Sequence, residues 1–161
     1  MSFRIIVTAA ASALLLATAS LGTHAAAKLD YDYFKAKVQP IFTTKRPGHS
    51  PCVVCHAGAN NQLHLEELPK GEATWNEEQS RKNFDTVSKM INAVDDPLQA
   101  KILMHPLAPE AGGDAFHSGG RQFENKNDPL WKTIAAFAQG ATLQDDPSEK
   151  TDKSDRRRRR R

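Results

Sequence analysis

Apolar residues recur at helical spacing in three stretches of the chain. Phe34, Val38 and Ile41 stand at i, i+4 and i+7, one face of a helix. Asp30 precedes them as an N-cap, so the spacing predicts a helix over residues 31 to about 44. Pro40 should kink or divide it, because proline has no N–H and crowds the preceding turn. Phe84, Val87 and Ile91, with Met90 beside them, mark a second face. Thr74-x-x-Glu77 ahead of it reads as a capping box, which places this helix from residue 74 to about 93. Leu130, Ile134 and Phe137 form the third face, with Trp131, Ala135 and Ala138 adjacent and Gly140 as the stop. Asp128-Pro129 starts it with a cap and a proline at the first helical position. The same pair at Asp96-Pro97 predicts a short helix over residues 97–103.

The segments between these helices carry punctuation instead of period. Residues 45–51, with Pro47, Gly48 and Pro51, read as a loop in which His49 faces solvent. Residues 57–61 are turn-rich. Leu63, Leu65 and Leu68 then pass over something apolar, while His64 alternates outward to the surface. Residues 104–127 hold Pro106, Pro109, Gly112, Gly113, Gly119 and Gly120. A stretch this long without a period is uncommon in a compact domain and is usually functional. No segment reads as a convincing strand and there is no internal repeat, so the expected class is all-α.

Both ends of the chain differ from the middle. Arg4, the apolar run from Ile5 to Leu21 and the triplet Ala25-Ala26-Ala27 have the order of an export signal. Residues 1–27 are therefore expected to be a signal peptide cleaved after Ala27. An uncleaved membrane anchor is the rival reading, weakened by the Ala/Ser/Thr content of the run and the cleavage site that follows it. Residues 28–144 form the expected domain, with 13 Lys/Arg against 14 Asp/Glu and a net charge of −1. Residues 145–161 form a polar tail of net charge +3 that ends in the run Arg156–Arg161. The chain's overall charge of +3 thus comes from its tail, and the near-neutral body offers no field for nucleic acid. The tail is expected to be disordered. Its arginines are either a solvated end or an attachment to an anionic membrane surface or an acidic partner.

The candidate chemistry lies in Cys52-Val53-Val54-Cys55-His56, a C-x-x-C-H pentapeptide holding the chain's only two cysteines. Two thiols on one side of a helical turn can each add to a porphyrin vinyl group, and the next residue offers an imidazole to the iron. Export agrees with this, since c-type haem is attached outside the cytoplasm. A redox dithiol would be expected in a βαβ setting that is missing here. A disulfide closing so short a loop stabilises little, and a zinc site lacks its remaining ligands. Cys52 and Cys55 are thus the expected covalent anchors of one haem c, and His56 the proximal iron ligand. A small body would use such a group to fill much of its core.

On these residues the chain resembles the class I-like monohaem cytochromes c. Phe34 to Phe42 (F-x-x-x-V-x-P-I-F) and Ala111 to Phe123 (A-G-G-D-A-F-H-S-G-G-R-Q-F) resemble one exported subgroup of that family. The resemblance spans residues 31–142. It implies a small helical fold wrapped around one covalent haem, with the first and last helices crossing near a haem edge. It also implies a long Gly/Pro loop before the C-terminal helix that supplies the distal iron ligand. Met90, Met104, His49, His64, His105 and His117 are the candidates for that ligand. His117 leads, because Gly119 and Gly120 let the backbone approach a flat group closely. Met104 is the alternative, methionine being the usual distal residue of the family, and His105 comes third. Met90 reads as core, and His49 lies too near the attachment motif.

The expected function is single-electron transfer in the periplasm between redox partner proteins, either free or as a subunit of a membrane-bound redox complex. With both axial positions filled, the protein is an electron carrier and not an enzyme. A gas sensor or a small peroxidase-like haem enzyme is the alternative, and it requires an open sixth iron position.

Overall fold

The computed structural model describes residues 28–145. The expected signal peptide lies outside the described residues, as does the tail beyond Asp145. Helix α1 covers residues 31–43 in three continuous segments, Tyr31–Tyr33, Phe34–Val38 and Gln39–Thr43. α2 is Cys52–His56. α3 is Glu77–Asn92. A 3₁₀ turn at Pro97–Gln99 leads to α4, Lys101–Met104. A second 3₁₀ turn, Pro109–Ala111, interrupts the long loop, and α5 is Pro129–Ala138. Among the described residues there is no strand, only three isolated bridges, Arg46 with His49, Ala57 with Leu65 and Leu107 with Phe123. The all-α expectation holds. No helix of the described residues is long and apolar enough to cross a membrane.

Asp30 caps α1 as expected, its Oδ1 accepting from the Tyr33 N–H at 2.6 Å. Pro40 neither ends nor divides the helix. The segment just before it, Phe34–Val38, widens to π geometry, and the Gln39 N–H bonds the Phe34 carbonyl. Widening the turn there absorbs the disruption that a proline brings to α geometry. α3 starts later than expected: the capping box is Asn76 with Gln79, not Thr74 with Glu77. Residue 75 explains the offset. Trp75 is buried, with its indole N–H donating to the Glu66 carbonyl at 2.7 Å, so the chain reaches the core before it turns into the helix. The helix expected over residues 97–103 is broken at Ala100, which is extended (ψ 140°).

Phe34 and Phe137 are fully buried where α1 meets α5. Their ring centres lie 5.6 Å apart, and Tyr33 stacks on Phe137 at 6.3 Å. Phe84 of α3 completes the cluster at 5.5 Å from Phe34. Such pairs are worth about 1 kcal/mol each beyond the area they bury. α4 packs on both α3 and α5, with the Trp131 indole donating to the Leu103 carbonyl at 3.2 Å. α5 closes at Gly140, whose φ of 87° is readily reached only by glycine.

Polar groups fix the remaining register. The buried Gln39 amide donates to Ser80 Oγ at 3.1 Å and so ties α1 to α3. The Asn83 carbonyl, fully buried in α3, takes the Glu66 N–H at 2.8 Å. That bond holds residues 63–68 along the helix with Leu65 buried.

The long loop is far from structureless. Leu107, Ala108 and Phe123 are buried. The Ala108 N–H bonds the Phe123 carbonyl at 2.9 Å, and the Phe123 N–H bonds the Pro106 carbonyl at 3.1 Å. The loop therefore has two feet in the core and a tip, around residues 115–121, at the surface.

Candidate functional site

α2 is a single helical turn, and what fixes it lies on both sides of it in sequence. The Leu65 N–H bonds the His56 carbonyl at 3.0 Å, and the Gly58 N–H bonds the Leu65 carbonyl at 3.2 Å. Since Leu65 is locked under α3, the end of α2 is locked with it. Cys52 and Cys55 are free thiols one turn apart, the first half-buried and the second exposed. Burial pushes the Cys52 thiol above its ordinary value.

A cavity of about 360 Å³ opens beside this turn, within the range of small-molecule and cofactor sites. Cys52, Cys55 and His56 line one part of it, and His105 and His117 another. Its apolar walls include Ile41, Phe42, Leu63, Ile102, Phe123 and Ile134.

His56 and His117 meet across this space. Their ring centres are 6.4 Å apart and their planes differ by 19°. Each ring is oriented through its Nδ1. That of His56 lies 2.9 Å from the Leu63 carbonyl and 3.1 Å from Asn61 Oδ1. That of His117 lies 2.6 Å from the Gly120 carbonyl. A carbonyl oxygen only accepts, so Nδ1 carries a proton in both rings, and in the neutral ring Nε2 has the lone pair. Burial, partly opposed by the Gly120 bond and aided by the neighbouring His105 and His56, holds the His117 pKa below its ordinary value. Gly119 packs against the His117 ring: a Cβ there would lie 3.1 Å from Cε1.

The other candidate ligands divide clearly. His105 lies against His117, ring centres 4.7 Å apart and edge to face. Its Nδ1 is 2.8 Å from Asp114 Oδ2, which also takes Lys101 Nζ at 2.8 Å. These hydrogen bonds, from Lys101 first and then His105, hold the Asp114 carboxyl below its ordinary value. Met104 and Met90 both pack against the core, Met90 as its helical stripe indicated; Met90 also lines the cavity and Met104 does not. His64 is exposed, with Nδ1 2.6 Å from the Ala59 carbonyl, as its alternation indicated. His49 is half-buried rather than in solvent, beside Gly120. The signal for Met90 was present in the sequence, since one helical face can wall a cavity as well as a core.

Arg46 joins the loop before α2 to the far side of the site. Its guanidinium pairs with Asp128, the N-cap of α5, and lies 5.2 Å from the centre of the Phe123 ring. Burial opposes ionisation of Asp128. Arg46 and the Leu130 and Trp131 N–H groups outweigh it and hold the carboxyl below its ordinary value.

Among the described residues no group of three or more His, Cys, Asp or Glu side chains is placed to hold a metal ion. A metal here would depend on a prosthetic group for its other ligands. No protein family, curated protein or solved structure matches the chain.

Proposed function

We propose that the protein is an exported c-type cytochrome with one covalent haem, which passes single electrons between redox partners, free or as a subunit of a larger redox complex. The observation that carries this reading is the facing pair His56 and His117. An imidazole nitrogen sits about 2 Å from a metal it ligates, and the ring centre roughly 1 Å beyond it. Two imidazoles on opposite sides of one metal therefore have centres about 6 Å apart, and the observed separation is 6.4 Å. Both rings have Nε2 free and Nδ1 tied down, the arrangement that fixes ligand orientation and raises basicity. The same cavity is bordered by both thiols of the attachment motif.

The residues thus fit the group. Cys52 and Cys55 would hold the macrocycle, His56 and His117 would ligate the iron, and haem supplies one-electron chemistry when bound. Phe42, Ile102 and Phe123 would shield the group from water, and the carbonyls of Leu63 and Gly120 hold His56 and His117 with Nδ1 protonated. With His56 and His117 both on the iron, no position would be left for substrate, which favours electron exchange over catalysis. A second imidazole in place of a thioether lowers the potential. The run Arg156–Arg161 would draw the protein to anionic membrane or an acidic partner, at about 1 kcal/mol per residue near a charged surface. Salt-sensitive co-sedimentation with anionic vesicles, abolished by deleting residues 156–161, is its test.

The deciding experiment is the low-temperature EPR spectrum of the ferric, haem-loaded protein, read with its visible spectrum. A low-spin bis-imidazole signal without a thioether-to-iron charge-transfer band is expected. A thioether band would move the distal assignment to a methionine. A high-spin signal would favour a sensor or a peroxidase-like enzyme with an open iron position.

A further inference from the structure

The two imidazoles on the distal side are held in different ways. His117 stands on the exposed tip of the long loop, preceded by Phe116, which is 76% exposed. The short bonds from its segment stay within the loop: the Gly120 N–H to the His117 carbonyl, the His117 Nδ1 to the Gly120 carbonyl and the Gln122 amide to the Gly119 carbonyl; one longer bond leaves it, from the Gln122 amide to the Ser50 carbonyl at 3.5 Å. His105 directly follows α4, between the buried Leu103 and the buried Leu107. The next residue, Pro106, takes N–H groups from both Gln122 and Phe123 on its carbonyl. A displacement of the tip would carry His117 away and leave His105 where it is.

We propose that His105 is a reserve distal ligand, which takes the iron when His117 leaves it; this rests on the haem reading above. The ring of His105 touches that of His117 and borders the same cavity. Its Nδ1 faces the Asp114 carboxylate, which only accepts when ionised, so in the neutral ring the lone pair is on Nε2. A carboxylate behind an imidazole orients the ring and raises its basicity as a ligand. In the exchange one iron–Nε2 bond breaks and another forms, with no proton or electron moved. The exchanged form has the carboxylate-backed ligand and the lower potential of the two. Met90 is the competing donor on the same cavity, but its thioether has no such backing.

The test uses full-length, haem-loaded protein and the variants His117→Ala, His105→Ala and the double variant, read by ferric EPR and by carbon monoxide binding to the reduced form. In His117→Ala the iron is expected to stay low-spin with g values displaced from the parent. The double variant is expected to be high-spin. Only the fraction of His117→Ala free of His105 can bind carbon monoxide, so its apparent affinity should be at least about tenfold weaker than that of the double variant. Asp114→Asn in the His117→Ala background should bring the affinity towards the double variant. A high-spin His117→Ala with the affinity of the double variant would overturn the inference and leave the haem reading standing. A thioether band in His117→Ala would assign the reserve position to Met90 and overturn it as well. A His117→Ala spectrum identical to the parent would remove His117 as the ligand and the inference with it.

Discussion

His56 and His117 end in equivalent states, each with Nδ1 on a backbone carbonyl and Nε2 free, yet the chain reaches those states by opposite means. His56 belongs to five residues whose spacing does the work, and its carbonyl partner is only seven residues away, on Leu63. His117 belongs to a loop of more than twenty residues whose feet, Leu107 and Phe123, are buried and whose tip is not. A local motif places the first histidine through a helical turn. A closed loop places the second, and the placement is only as firm as the closure. If the protein holds a haem as proposed, the His117 side is where it has room to vary its chemistry, and three substitutions probe the difference.

The largest effect should come from Gly113→Ala, at a foot of the loop. A Cβ on Gly113 would lie 1.9 Å from the Leu107 carbonyl oxygen and 2.5 Å from its carbon. Both are backbone atoms, so the turn must open. It would lose the Gly113 N–H to Ala108 bond and strain the Asp114 N–H to Met104 bond, each 3.0 Å. A loss of about 3 kcal/mol is expected, read as a lowered urea midpoint of the haem-loaded protein. A midpoint equal to the parent would mean that the feet do not carry the loop.

The next effect concerns the tie between the two sides, Arg46 with Asp128. Asp128→Asn keeps a side-chain oxygen to cap α5 but removes the charge. Breaking the charge-assisted bond should cost about 1–2 kcal/mol at pH 7. The folded protein holds the Asp128 pKa below the ordinary 3.8. Its contribution is therefore complete above that value and is lost as the pH falls through the folded value. Between pH 7 and pH 3 the parent should lose more stability than Asp128→Asn. Parallel losses in the two proteins would show that the pair contributes nothing to the fold.

What could be read from the sequence follows the same division. The helical turn at Cys52–His56, the capped faces of α1 and α5 and the all-α class depend on residues within a few positions of one another, and spacing, period and cap chemistry expose these. The capping box of α3 was ambiguous because Thr74-x-x-Glu77 and Asn76-x-x-Gln79 both satisfy the rule. The buried Trp75, a tertiary contact, decided between them. Pro40 announced a disturbance but not its form, since a π turn and a break share one sequence signal. The half-burial of His49 beside Gly120, the place of Met90 on the cavity wall and the contact of His105 with His117 all arise from chain closure over long separations. No period records such contacts. Gly119 lies against the His117 ring, another contact that no period records.

The smallest effect should come from Gly119→Ala, the same chemical change six positions along the same loop. Gly119 is not in the left-handed region, so alanine adopts its backbone without strain. The added Cβ would lie 3.1 Å from His117 Cε1 and 3.5 Å from its Nε2, and the ring, not the backbone, has to give. Because the tip carries none of the core, stability should change by less than about 0.5 kcal/mol. The ring, however, moves at the atom that would face the iron on the proposed haem reading, so the ferric g values of the haem-loaded protein should shift although the urea midpoint does not. Gly113→Ala and Gly119→Ala together separate two roles of the loop, closing the fold and holding the His117 ring. If both substitutions lowered the urea midpoint alike, tip and feet would form one unit, and the contrast with the Cys52–His56 turn would rest on loop length alone.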